Sequence, residues 1–307
     1  MPDKPAAEIA IDASLVRSLL VSQATHVIPD AANLPLEKVA EGWDSEIWRL
    51  GDDVAVRLPR RALAAPLMLH EQRALPEIAQ RLAATGVRVP VPVVTGRPDA
   101  EFPWAWSVVP WIEGTRGLEV PRDARTGWAT ALAGAMLALH APAPADHPVN
   151  PVRGRPLNTR DAAFHERLEA LLRSGMLDRG TAGNLRAIWR AGTATAVSSQ
   201  APVWIHGDLH PGNLVTRRGA LEGIIDFGDV TAGDPAYDLA VAWLAFDEAG
   251  RQVFIAATDA GYDEDTWRRA RAWAAAVVVS LLTHSDDAPD YAELVRDAIP
   301  EVTRDAG

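Results

Sequence analysis

Cysteine is absent from all 307 positions. That excludes disulfides, thiol nucleophiles and thiolate-bound metals, and it fits a chain that works in the cytoplasm. Long apolar runs are missing too. The longest patches, such as Ala274 to Leu282, fall far short of the roughly 20 residues a membrane-spanning helix needs. The opening stretch MPDKPAAEIAID carries acids early and lacks the apolar core of a signal peptide, so no membrane partner is expected. Basic residues are outnumbered, 30 against 41 acids, for a net charge of −11. Such a surface repels nucleic-acid phosphates. The one basic cluster, Arg57, Arg60 and Arg61, is too short to reverse that, and no nucleic-acid partner is expected. Walker P-loop, G-x-S-x-G and H-E-x-x-H strings do not occur, which removes support for P-loop kinases, serine hydrolases of that type and zincins.

What remains is globular in composition, with 48% hydrophobic and 23% charged residues. Neither repeats nor low-complexity tracts appear. The spacing predicts a helix over Leu15 to Ser22. LEKVA, EIWRLG and DVAVRLP alternate apolar and polar residues and read as three strands, with Gly51, Asp52 and Asp53 turning the second into the third. Ala65 to Gly86 has helical periodicity with a glycine stop, and Pro76 inside it predicts a kink or break. VPVVTG and AWSVV read as two more strands. After Pro110 the texture becomes helical, over 122–140, 159–172, 181–197, 235–246, 248–259 and 264–282. Only PVWIH, NLVT and LEGIIDF look like strands there. The stretch 141–158 holds five prolines and reads as an irregular loop. The pattern is α+β, with a boundary near 109–117.

The chemistry concentrates in WIHGDLHPGNLV, Trp204 to Val215, and in IIDFGD a dozen residues later. A hairpin of NLVT and LEGII, turning at RRGA, would bring Asn213 beside Asp226 with Asp208 just upstream. Two hard oxygen donors side by side suit Mg²⁺, which takes the rest of its shell from water and phosphate. A free carboxylate nearby can accept a proton from an attacking hydroxyl. These are the parts of a phosphoryl-transfer site. His206, Asp208 and His210 also spell H-x-D-x-H, an alternative transition-metal reading without a further His cluster to support it. Asp226 after two isoleucines would be costly at a buried strand end without a partner, and so leans towards function.

H-x-D-x-x-x-x-N followed by D-F-G matches the kinase catalytic and metal loops. With His206-Gly207 in place of His-Arg and GDPAYDLA at 233–240, the chain resembles the aminoglycoside phosphotransferase family of protein-kinase-like small-molecule kinases. That resemblance implies a two-lobed fold, with a β-rich nucleotide lobe over 1–110 and a helical lobe over 111–307 carrying the acceptor pocket. It implies Asp208 as catalytic base, Asn213 and Asp226 as Mg²⁺ ligands, ATP or GTP as donor, and His206 as a structural hydrogen-bonding group. EGWDSEIW resembles the family's nucleotide loop, with backbone donors near its single glycine, Gly42, and a hydroxyl on Ser45. Arg57 stands where the family has a phosphate-contacting Lys, and Glu71 matches its acidic partner. Arg keeps the charge and suits phosphate but is not a neutral swap. Val109 to Ile112, with Trp111 between, form the expected purine-facing hinge. Trp43 and Trp111 stand apart from the core role expected of most of the 11 tryptophans.

Asp229 is expected near the cleft, and Asp234 and Asp238 at the start of the next helix. Asp247, Glu248, Asp263, Glu264 and Asp265 are expected on solvated faces. Three functions remain in view: an antibiotic kinase with an aminoglycoside ahead of a macrolide, a metabolic kinase of an amino alcohol, amino acid or sugar, and a nucleotide-binding pseudokinase. An acidic pocket would favour aminoglycosides, and an apolar one macrolides.

Overall fold

The computed structural model describes residues 5–196, 201–258, 261–284 and 289–304. Helix α1 (Ala13–Gln23) starts at Asp12, whose carboxylate caps Leu15 N–H at 2.9 Å. It buries Val16, Leu19 and Leu20, spaced at i, i+3 and i+4. Strands β1 (Leu36–Glu41), β2 (Ser45–Leu50) and β3 (Val54–Pro59) make an antiparallel meander. The left-handed φ of Gly51, 58°, turns β2 into β3 as its glycine permits. Helix α2 (Ala65–Leu82) then leads to β4 (Val94–Gly96) and β5 (Trp106–Pro110). The sheet order is β1-β2-β3-β5-β4, all antiparallel. Its core is Trp48, Val56, Leu58, Trp106 and Val108 packed against α1.

Pro76 does not break α2. Ala74, Leu75, Ile78 and Leu82 bury this half of the helix in the larger core below, and that burial offsets one lost backbone hydrogen bond.

The remainder is mainly helical. β6 (Thr115–Arg116) precedes α3 (Ala129–Leu139), α4 (Asp161–Ser174) and α5 (Arg179–Thr193). β7 (Val203–Ile205), β8 (Leu214–Arg217), β9 (Ala220–Ile224) and β10 (Thr231–Gly233) follow. Helices α6 (Ala236–Leu239), α7 (Val241–Ala245), α8 (Glu248–Ala257), α9 (Glu264–His284) and α10 (Pro289–Thr303) complete it. Among the described residues no helix is long and apolar enough to cross a membrane.

Several expectations need correction. The segment 122–140 begins as a 3₁₀ turn over Arg122–Trp128 before α3. The segment 235–246 divides into α6 and α7. The short strands β6 and β10 and the helix α10 add to the expected elements, VPVVTG forms a strand only over Val94–Gly96, and Val197 and Asp259 lie outside the described residues. Asp263 is exposed, as expected, and Asp247 half-buried; both also cap helices, accepting from Thr266 N–H at the start of α9 and Gly250 N–H at the start of α8.

Candidate active site

The hairpin β8–β9 is built by its turn. Arg218 and Gly219 both have positive φ, 52° and 80°, the signature of a two-residue primed turn between Arg217 and Ala220. The register Leu214 opposite Ile224 then places Asn213 and Asp226 just beyond the same end. Ile225 N–H donates to Asn213 O at 2.9 Å and ties the two together. Asp226 has φ 64° and ψ 60°, a left-handed conformation rare for a non-glycine residue and concentrated at functional sites. That bend lifts its carboxylate out of the strand, and the side chain is 56% exposed.

Asp208 lies on the loop between β7 and β8, which is held from behind. Asp238 accepts from His206 N–H at 2.6 Å and from Gly207 N–H at 3.0 Å. It therefore anchors this loop, where a place in helix capping was expected; Asp234 takes that part, accepting from Ala236 N–H. The ring of His206 is fully buried and bridges two segments. Its Nδ1 accepts from Asp208 N–H at 3.2 Å, so its Nε2 is the protonated nitrogen and donates to Ile225 O at 2.9 Å. Gly207 has φ 85°, and a Cβ there would lie 2.3 Å from Asp229 O, so only glycine fits. His210 starts a short 3₁₀ turn, accepting from Gly212 N–H at 3.0 Å. Burial holds its imidazole below the ordinary value, against the opposing charge of Asp208.

Asn213 donates its Nδ2–H to Asp208 O at 2.8 Å, which commits the nitrogen and leaves the amide oxygen as a hard donor. Beside it the Asp226 carboxylate supplies a second. A carboxylate and an amide oxygen fit Mg²⁺ well. Among the described residues no group of three or more His, Asp or Glu side chains could hold a metal, so H-x-D-x-H is not a transition-metal centre there.

Arg57 reaches this cluster from β3. Its Nη1 donates to Glu71 Oε1 at 2.5 Å and its Nη2 to Asp226 Oδ1 at 2.8 Å. Burial opposes its charge, but Glu71 and Asp226 outweigh that and raise its pKa. Burial lifts the Glu71 carboxyl above its usual range, with Arg57 pulling the other way. The surrounding protein strips part of the hydration from Asp226, yet the charge and hydrogen bond of Arg57 overcome that and hold its carboxyl low.

The other expected nucleotide contacts are less open than the sequence suggests. Gly42 N–H is engaged by Ser45 O at 2.9 Å, while Arg60 donates to Gly42 O at 3.0 Å. Ser45 itself pairs with Pro59 at the end of the sheet. The tip exposes Trp43. At the hinge, Val109 is buried in β5, Trp111 N–H donates to Asp53 O at 2.7 Å, and Pro110 has no N–H. Among the described residues Ile112 N–H makes no backbone hydrogen bond outside the strands. The Trp111 indole stacks under Arg49, 4.7 Å from its centroid, and donates to Glu113.

Two residues had no signal in the sequence. Arg153 and Asn150 lie in the proline-rich loop. Asn150 donates to Asp229 at 2.8 Å, and Arg153 contacts Asp229, Asp208 and Tyr237. Burial raises the Asp229 carboxyl, with Arg153 opposing and Asp208 adding to the rise.

A β-sheet lobe joined to a helical one, with Lys-like Arg, Glu, Asp, Asn and Asp meeting between them, is the architecture of a kinase-like phosphotransferase. Residues 35–273, well over half of the chain, match the model of the phosphotransferase enzyme family, and the chain belongs to that family. It is a phosphotransferase. Its fold matches the GDP and kanamycin complex of APH(2")-IIia with a TM-score of 0.69 at 21% identity, over 93% of this chain and 97% of that one. It also matches the GDP complex of wild-type aminoglycoside 2'-phosphotransferase-IIIa, TM-score 0.69 at 22% identity, over 94% and 98% of the two chains. The apoenzyme of macrolide 2'-phosphotransferase MphH from Brachybacterium faecium matches with a TM-score of 0.61 at 20% identity, over 94% and 97%.

Proposed function

We propose that the protein moves the γ-phosphoryl group of ATP or GTP to a hydroxyl of a small antibiotic, an aminoglycoside in the first place. The observation that carries this is the meeting of Asn213 and Asp226 at one end of the β8–β9 hairpin, with Asp208 on the adjoining loop tied to Asn213 and Arg57 bound to Asp226. Asp208 orients or deprotonates the acceptor hydroxyl. Asn213 and Asp226 would hold Mg²⁺, which would neutralise charge on the phosphates. Arg57 binds the nucleotide phosphates, with Glu71 holding it in place. Gly42 and Ser45 border the phosphate loop, and Val109, Trp111 and Ile112 border the purine, with Ile112 N–H as its donor. Residues 1–110 form the nucleotide lobe and 111–307 the acceptor lobe. Positioning and electrostatics supply most of the rate. The reaction is cytoplasmic, with no nucleic acid or membrane involved.

The charge beside Asp208 supports an amine-bearing acceptor. Asp208 and Asp229 carry two carboxylates against the single guanidinium of Arg153. A macrolide is the second reading, favoured by the aromatic ring of Tyr291 on α10, which meets His210 edge-on at 5.4 Å.

The test is a phosphate-transfer assay with ATP and GTP, Mg²⁺, and a panel of aminoglycosides, macrolides and amino alcohols. Turnover on one class, lost in Asp208→Ala with nucleotide affinity retained, would establish both reaction and acceptor. Full activity in Asp208→Ala would end the mechanism. Silence across the panel with nucleotide bound would point to a different metabolite or a pseudokinase.

A further inference from the structure

Arg153 belongs to a loop that looks featureless in sequence yet is fixed at both ends. Asn150, only 3% exposed, accepts from Val152 N–H at 2.8 Å and from Arg153 N–H at 3.0 Å through its Oδ1. Its Nδ2 donates to Asp229. Thr231 donates its hydroxyl to Pro148 O at 2.8 Å. On the other side Gly154 has φ 68°, and a Cβ there would lie 2.4 Å from Ala232 O, so the chain presses against β10 where only glycine fits.

From that position the guanidinium uses all three of its nitrogens. Nε donates to Asp229 Oδ2 at 3.0 Å, and Nη1 to the Tyr237 hydroxyl at 2.5 Å. Nη2 bridges Asp229 Oδ2 at 2.9 Å and Asp208 Oδ1 at 3.2 Å. Among the described residues no other side chain donates a hydrogen bond to the Asp208 carboxylate; His210 Nε2 is 3.7 Å from its second oxygen.

We propose that Arg153 is the positioning residue of the reaction: it fixes the direction of the Asp208 carboxylate and screens it from Asp229, leaving the other oxygen for the acceptor hydroxyl. This rests on the role given to Asp208 above. A carboxylate with one donor is free to turn when that donor is lost, and two neighbouring carboxylates then repel each other. Small losses of alignment at the reacting atoms are enough to slow a positioned reaction severely. Lys would keep the charge but not the planar fork that reaches Asp208, Asp229 and Tyr237 together.

The experiment compares Arg153→Gln and Arg153→Lys with the wild type, using Mg²⁺ with ATP and GTP, and kanamycin or water as acceptor. Arg153→Gln should lower kcat by about tenfold or more while nucleotide KM stays within about twofold. Arg153→Lys should recover part of the loss. In an Asp208→Ala background the same change should have almost no further effect on the small residual rate of phosphate release. An unchanged kcat in Arg153→Gln, a parallel rise in nucleotide KM, or an undiminished effect without Asp208 would overturn the proposal. If the wild type and Asp208→Ala release phosphate equally, the reading of Asp208 itself has failed. The contact is then judged by thermal unfolding alone: non-additive Tm shifts for Arg153→Gln and Asp208→Ala support it, and additive shifts overturn it.

Discussion

Arg57 Nη2 lies 2.8 Å from Asp226 Oδ1, so one guanidinium joins the β-rich lobe to the hairpin of the helical lobe. Its other terminal nitrogen holds Glu71 at 2.5 Å, and both residues of that second pair are buried. A Lys ammonium is a point charge, whereas the fork addresses two carboxylates in fixed directions. The replacement therefore retains the charge expected at this position and adds a link across the cleft.

Arg57→Ala should damage stability and nucleotide use at once. Glu71 would be left buried without its partner, a situation that costs about 3–5 kcal/mol. The double variant Arg57→Ala with Glu71→Gln should recover much of that loss, since no charge is stranded. Both variants should raise nucleotide KM while acceptor KM stays near its wild-type value. Urea unfolding and initial-rate kinetics read the two effects separately. An effect on the acceptor alone would refute the role given to Arg57.

Asp238 is the second anchor. It is fully buried and accepts from His206 N–H, Gly207 N–H and, at 3.3 Å, His140 Nε2. Asp238→Ala leaves two backbone donors unsatisfied, at about 1–3 kcal/mol each. We expect a matching loss in urea unfolding and a fall in kcat, because the strand-to-loop turn carrying Asp208 loses its fixed point. Wild-type stability together with wild-type kcat would show that the loop is held by other means.

The parts of the site legible in sequence are the local ones. Asp208, Asn213 and Asp226 lie within twenty residues, and the hairpin that unites them announces itself through Arg218-Gly219 and two apolar strands. Arg57 and Glu71 are fourteen residues apart on neighbouring elements with clear periodicity. Arg153 is a different case: it meets Asp208 across 55 residues from a loop whose prolines erase any period. The same reasoning covers α6 and α7. Every residue of Val241–Ala245 is buried, so no polar face marks where one helix ends and the next begins. At Asp238 the residue type is legible but its partner is not, because a carboxylate reaching back 32 residues to His206 N–H leaves no trace in spacing.

The last prediction concerns pH. His70 on α2 has a buried Nδ1 with no hydrogen-bond partner among the described residues. Burial lowers its pKa from 6.5, with Asp229 opposing and Arg73 assisting, and burial lowers His210 in the same direction. A histidine depressed in the folded state is protonated first in the unfolded chain. Its contribution to stability is therefore complete above 6.5 and is lost as pH falls below that value towards the folded pKa. Tm should drop between about pH 7.5 and about pH 5.5, and His70→Gln, which cannot titrate, should show a smaller drop. His70 is the cleaner probe because His210 borders Asp208. An equal drop in the variant would assign the acid sensitivity to other groups, His210 first among them.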